Sequence, residues 1–356
     1  MDASLFGPER SALLVQGLTA VSRSGSPLRM ITGLLSGVNL VSNWEKRAPS
    51  VAAEIIGRIE SVDAIYAQGP PTASLLLALE LAEKHGAPVL FDLVAPFDGA
   101  VSQGARQSEL TKIEERVLTS GHTVMVPTRA LKEYFLKKYI GKATHDDIWI
   151  VPDFCSGEQD LSVRARQDPA ASQQVIILLE MVSEKELKLF MSVLADFMSN
   201  AGSFSFRPGI RFIGGEGESV IKFAKKYMPD ASVSWSCRRK EEEELAFIRE
   251  SAVFGLVLGQ HESSAFMVPD RLVDALCMNK KLLVIGIDGA AARLARDAGG
   301  FTSPLNDSTA VVQALSSSLD DRQSGRGGEA LINRERLPAS GSLSNLSKIL
   351  AYMLPV

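Results

Sequence analysis

The residues able to do chemistry concentrate in the second half of the 356-residue chain. Gly214-Gly215-Glu216-Gly217 follows a short apolar run and precedes a helical pattern. A glycine loop there can bring backbone N–H groups to a phosphate, or can simply turn the chain into the helix. His261 beside Glu262 has the composition of an acid–base pair, although neighbours on an irregular loop need not face one another. Arg271 and Asp274 have the three-residue spacing of a functional pair near a helix start, and equally of a solvated ion pair. Lys240 followed by Glu241, Glu242, Glu243 and Glu244 reads as a solvated helix start, its acids complementing the dipole. Asp92 and Asp98 lie around the end of an apolar run, where a carboxylate meets a ligand or caps the next helix. The stretch ALKEYFLKKYIGK, residues 130–142, is basic and amphipathic, which suits a surface helix or contact with anionic lipid.

Other chemistries are poorly served. The chain lacks Gly-x-x-x-x-Gly-Lys-Ser/Thr, a Gly-x-Gly-x-x-Gly after a first strand, and Gly-x-Ser-x-Gly. A P-loop nucleotidase, a nicotinamide dehydrogenase and an α/β-hydrolase lose their signatures with them. Cys155, Cys237 and Cys277 are far apart, which fits neither a zinc knuckle nor a disulfide framework and suggests a reducing cytoplasm. With 38 basic and 42 acidic residues, net charge −4, the chain has no broad basic field for nucleic acid. The N-terminus MDASLFGPER has no secretory pattern, and no apolar run approaches the ~20 residues that span a bilayer.

Positioning such residues falls to alternating strands and helices. Strands are expected at Leu28–Thr32, Val62–Tyr66, Pro88–Leu93, Thr123–Pro127 and Ile148–Val151. Helices are expected at Ser11–Val21, Ala48–Glu60, Ala73–Lys84, Ser108–Thr119 and Ala130–Tyr139. A polar linker, 156–174, precedes a second set of strands at Val175–Leu179, Ile210–Ile213, Ser232–Trp235, Phe254–Leu258 and Leu282–Ile285. Helices at Glu184–Ser199, Glu218–Tyr227, Glu241–Ser251 and Asp270–Met278 separate them. This alternation predicts α/β architecture, two doubly wound Rossmann-like domains facing across a cleft, over 1–155 and 175–320. A Ser/Gly/Arg-rich connector, 321–341, leads to a last helix in 342–356 that packs back on the first domain. Ligands of such sheets sit beyond the strand carboxyl ends, near helix N-termini, which favours phosphorylated molecules.

The stretch VFGLVLGQHESSAFMVPDRLVDALCMNKKLLVIG resembles the donor-binding region of group 1, retaining glycosyltransferases of the GT-B fold. Pro269 matches the family's proline, Arg271 its lysine and Asp274 its helix-start glutamate, while Asn279-Lys280 stands where the family has Gly-Lys. GPERSALLVQGL resembles the family's first glycine loop and helix, with Gly7, Glu9 and Arg10 matching. IEERVLTSGHTVMVPTRALKEYF and IWIVPDF are similar to the segments leading into the second domain.

The resemblance implies transfer of a sugar from a nucleotide-diphosphate sugar, on UDP or GDP, to a hydroxyl of a glycan, lipid-linked sugar or protein. It implies neither a metal nor a permanently bound cofactor. Lys185 and Arg271, with Arg238 or Arg239 as helpers, would stabilise the departing diphosphate; Asp274 would bind the ribose, and Glu262 would lie near the sugar. Gly7, Gly214, Gly215 and Pro269 would complete the donor site. Three departures stand out: only MDASLF precedes Gly7, so the first strand is expected to be truncated or absent; no arginine precedes Lys185 in Glu180-Met181-Val182-Ser183-Glu184-Lys185; and the paired acids become Glu262 with Asp270 or Asp274. They leave open a noncatalytic GT-B-like protein acting through a protein partner, and a 2-epimerase, for which four histidines leave little to supply. Peripheral membrane contact is a further expectation.

Overall fold

The computed structural model describes residues 13–14, 48–54, 56, 62–69, 72–97, 107–152, 174–199, 208–237, 241–319 and 339–353. Gly7, Asp98, Cys155, Arg238, Arg239, the expected strand at Leu28–Thr32 and nearly all of the linker and connector lie outside them. The chain forms two compact units, Met1–Pro152 with Gly341–Val356, and Asp153–Ser340.

The first unit carries a five-stranded parallel sheet in the order β1 (Leu13–Leu14), β2 (Ile65–Gly69), β3 (Val89–Leu93), β4 (Thr123–Val126), β5 (Ile148–Ile150). Helices α1 (Thr72–His85), α2 (Gln107–Leu118) and α3 (Arg129–Lys138) connect β2 through β5. Thr128 caps α3, its hydroxyl accepting from the Leu131 amide at 3.1 Å. One correction concerns the beginning. Leu13–Leu14 pairs with Ile65 and Tyr66 as a strand, whereas a helix was expected over Ser11–Val21. A short apolar run such as Ala12–Val15 suits either state, and here the open edge of β2 decides, because its backbone groups need partners. The described part of this strand is two residues long, which leaves the expectation of a truncated first strand standing.

The second unit holds a six-stranded parallel sheet of order β11-β10-β9-β6-β7-β8. The strands are β6 (Gln174–Glu180), β7 (Gly209–Gly214), β8 (Val233–Ser236), β9 (Val253–Leu258), β10 (Lys281–Ile285) and β11 (Phe301–Ser303). All six residues of β9 are buried, as expected for a central strand covered on both faces. One core combines β-sheet residues with α4 (Glu184–Ser199), α5 (Gly217–Tyr227) and α9 (Ser308–Leu319) through Phe190, Phe223 and Leu315. The other is formed by α6 (Glu241–Glu250), α7 (Asp270–Cys277) and α8 (Ala290–Asp297) through Ile248, Leu272 and Ala291. Three elements, α8, β11 and α9, extend the unit past the last strand expected from sequence.

Helix α10 (Ala339–Met353) belongs to the first unit from Gly341 onward. Its Leu346, Ile349 and Met353 pack with Leu90, Met125 and Val151, and Asn345 Nδ2 donates to the Ile150 carbonyl at 3.2 Å.

Candidate functional site

The chain runs β6 to β7 to β8 in one direction, returns to place β9 against β6, then continues through β10 and β11 the other way. A reversal of this kind parts the loops that leave two adjacent parallel strands and opens a ligand crevice at their carboxyl ends. The loops in question follow Glu180 and Leu258. They are drawn tightly together: the Gly259 amide donates to the Glu180 carbonyl at 3.0 Å, and a Cβ on residue 259 would stand 1.9 Å from the Met181 carbonyl oxygen. Only glycine allows that approach. Met181 has φ +53°, a left-handed conformation that costs a side-chain-bearing residue on the order of 1–3 kcal/mol. Its sulfur lies 3.9 Å from the hydroxyls of both Ser263 and Ser264.

Helix α4 begins beside this reversal. Ser183 and Glu186 form a capping box: the Ser183 amide and hydroxyl donate to Glu186 Oε2 at 2.8 and 2.6 Å, and the Glu186 amide reaches the Ser183 hydroxyl at 3.4 Å. The other oxygen, Oε1, accepts from the Gln260 amide at 2.7 Å. Partial burial alone would raise the pKa of Glu186; the hydrogen bonds from Ser183 and from the Gln260 and Ser183 amides outweigh it and hold the carboxyl below its ordinary value. Lys185, in the first turn, is exposed and makes no hydrogen bond or ion pair with the described residues.

Across the reversal, β9 leads into a 3₁₀ turn, Glu262–Ala265. His261 caps it, Nδ1 accepting from the Ser263 amide at 3.2 Å and lying 2.5 Å from the Ser263 hydroxyl. His261 is therefore engaged with Ser263 and not with Glu262, which is exposed. Pro269 is the N-cap residue of α7, and Asp270 is exposed in its first turn.

The Arg271 guanidinium lies against two carboxylates. Its Nε donates to Glu244 Oε2 and its Nη1 to Asp274 Oδ2, each at 2.7 Å. Burial works against the guanidinium charge, and the bonds to Glu244 and Asp274 outweigh it, raising the pKa above the usual arginine range. The three-residue pair is thus an internal clamp, closed by a glutamate that the solvated-run reading of 240–244 did not single out. Glu242 and Glu243 are exposed, but Glu244 is 4 % exposed because its helical phase matches Ile248 in the core. Lys280, beyond α7, donates to the Arg249 and Ser251 carbonyls at the end of α6, and its pKa is lowered by burial first and by the nearby Arg249 charge second.

Gly214 and Gly215 both lie at positive φ, 76° and 67°, and the Gly214 carbonyl accepts from Trp235 Nε1 at 2.9 Å while the Trp235 ring covers Gly217. These angles turn the chain from β7 into α5. Asp92, in β3, accepts from the Tyr66 hydroxyl at 2.6 Å and Gln68 Nε2 at 3.0 Å. On the basic stretch 130–142, Lys132 donates to the His145 and Ile148 carbonyls, Lys138 pairs with Glu114 and Lys142 with Glu115, so these three charges are spent locally. Among the described residues no helix is long and apolar enough to cross a membrane, and no His/Cys/Asp/Glu group could hold a metal ion.

No protein-family profile matches the sequence, and no curated protein matches it. Solved structures do. The sucrose-phosphate synthase of Thermosynechococcus elongatus superposes with a TM-score of 0.64 at 13 % identity, over 97 % of this chain and 85 % of that one. An α,α-trehalose 6-phosphate synthase from Burkholderia multivorans gives 0.62 at 16 %, over 88 % and 76 %. Anabaena HepE, solved in complex with UDP-glucose, gives 0.60 at 12 %, over 90 % and 84 %. The chain has the GT-B fold. Of the residues around the reversal, the sequence reading singled out Lys185, Glu262 and Asp274, and did not single out Glu186, Gly259, Met181 or Glu244. The Ser-x-x-Glu of 183–186 was a legible capping signal; the bridge to residue 260 was not.

Proposed function

We propose that this GT-B chain is a glycosyltransferase that moves a sugar from a nucleotide-diphosphate donor, on UDP or GDP, to an acceptor hydroxyl. The observation that carries the reading is the strand reversal between β6 and β9, with the amide end of α4 and, beside it, an exposed Lys185 that no described residue engages. Amides at a helix start and a lysine beside them stabilise negative charge as a diphosphate departs. The likeness to HepE, solved with UDP-glucose, supports such a donor. In this reading Asp274 accepts from the ribose, oriented by Arg271, which Glu244 holds in turn; Glu262 lies toward the sugar. The reaction uses no metal and retains the anomeric configuration, as in the group 1 enzymes the sequence resembles. The acceptor is a glycan, a lipid-linked sugar or a protein, and the enzyme works in the cytoplasm, at the membrane surface where the acceptor is lipid-linked.

A second reading, a noncatalytic GT-B-like partner of another transferase, is favoured by the two carboxylates on Arg271 and by the absence of an arginine before Lys185. Calorimetric titration with UDP-, GDP- and ADP-sugars separates the two. Saturable heat with one of them, and product formed from it, is expected. No heat from any at millimolar concentration sinks the transferase and leaves the partner.

A further inference from the structure

The two loops of the reversal are separated by 74 residues in sequence, yet one side chain ties them. Glu186 Oε2 takes the Ser183 amide and hydroxyl of the β6–α4 loop, and Oε1 takes the Gln260 amide of the β9 loop. Both oxygens are therefore committed, one to each wall. The two walls also meet where Gly259 abuts the Met181 carbonyl and where the Met181 sulfur faces Ser263 and Ser264. Those contacts set how close the walls come. The carboxylate sets their register, because it bonds the first turn of α4 to the loop bearing His261 and Glu262. An ordinary capping glutamate would turn back to its own helix and leave Oε1 to water.

We infer that Glu186 is a positioning residue for the donor: it fixes the β9 loop on the start of α4, so that Lys185, the α4 amides and Glu262 hold one geometry toward the diphosphate and sugar. The inference rests on the transferase reading for its ligand, while the tether itself does not. A donor bound between fixed walls avoids ordering the loop as it binds, so loss of the tether falls on donor affinity. Acceptor affinity has no reason to change.

The test uses the full chain and the variants Glu186→Ala and Glu186→Gln. Glutamine keeps one carbonyl oxygen and so can serve only one wall. Amide hydrogen exchange over residues 259–265 reports on the tether without any ligand. Calorimetry with UDP, GDP and UDP-glucose, and donor and acceptor KM, report on its consequence. In Glu186→Ala, exchange in 259–265 should quicken while that of β7 and α5 stays as in the wild type. The dissociation constant for the bound nucleotide and the donor KM should rise roughly tenfold, equivalent to about 1.4 kcal/mol. Acceptor KM should not move, and Glu186→Gln should fall between the two. Unchanged exchange in 259–265 overturns the inference whatever the nucleotide does. So does quickened exchange with unchanged nucleotide affinity, since a tether with no bearing on the donor would give that result. A wild-type chain that binds no nucleotide overturns the transferase reading first, and the donor role of Glu186 with it; that failure is read in the wild type and the other two only in the variants.

Discussion

Glu114 in the first unit and Glu186 in the second are built alike and used differently. Each carboxylate sits on a helix and reaches a backbone amide in a loop that follows a strand. Glu114 accepts from the Phe97 amide at 2.8 Å, Lys138 Nζ at 2.6 Å and the Tyr139 hydroxyl at 2.8 Å, and it is entirely buried. Its charge is cancelled in place: burial works against the Lys138 ammonium, and the Glu114 bond and charge outweigh it, lifting the lysine pKa well above the usual range. Among the described residues Glu186 has hydroxyl and amide donors only, it stays within reach of water, and the neighbouring Lys185 is unengaged. The first arrangement is scaffold, since nothing in it is left to meet a ligand. The second keeps a cation and a helix start available at a strand reversal, and the described strands of the first unit, which run in simple succession, contain no such reversal.

The contrast breaks most visibly at Lys138. Lys138→Met leaves a fully buried carboxylate with one amide and one hydroxyl, and should cost about 3–5 kcal/mol in urea unfolding, with nucleotide affinity of the folded fraction unchanged. A loss below about 1 kcal/mol would mean that Glu114 finds water, and the two carboxylates would cease to differ in kind. Arg271→Met is next. Removing the guanidinium takes away the cation between Glu244 and Asp274, and about 3 kcal/mol should go, at the low end of that range because Asp274 is partly exposed. Nucleotide affinity should fall only a few-fold, through a less well held Asp274. The opposite pattern, full stability with donor binding abolished, would make Arg271 a phosphate ligand after all.

Much of this molecule was legible in order and spacing. β-Branched and apolar runs such as Phe254–Leu258 are continuous because a parallel strand is buried on both faces, and helices such as Glu184–Ser199 carry their apolar stripe in the written residues. Leu13–Leu14 was misread because the local pattern fits helix and strand alike, and a distant edge chose between them. The site was harder for a related reason. Arg271 looks the same in sequence whether it faces a phosphate or Glu244, and its contact with Glu244 comes from the packing of α6 on α7, the partners being 27 positions apart. Glu186 likewise announces a cap but not its bridge to Gln260.

The smallest effects sharpen the comparison most, because the chain holds two side-chain-bearing residues in left-handed backbone, Met181 at φ +53° and Asn279 at φ +55°, among those described. Asn279 ends α7 in a Schellman motif, its amide donating to the Leu276 carbonyl at 3.0 Å and that of Lys280 to Ala275 at 2.9 Å. Asparagine tolerates that conformation, so Asn279→Gly should change stability by no more than a few tenths of a kcal/mol, whereas Asn279→Ala should lose about 1 kcal/mol. Neither should touch nucleotide binding. Met181 has no helix end to serve, and relief of its backbone should make Met181→Gly more stable by up to about 1 kcal/mol, less what the freer unfolded chain takes back. The same change deletes the sulfur facing Ser263 and Ser264, so the gain in thermal denaturation should come with weaker binding of UDP or GDP in titration. Strain that is kept at the cost of stability only where a ligand is bound is what a site predicts and a scaffold does not; equal behaviour of the two glycine variants would place Met181 with the scaffold.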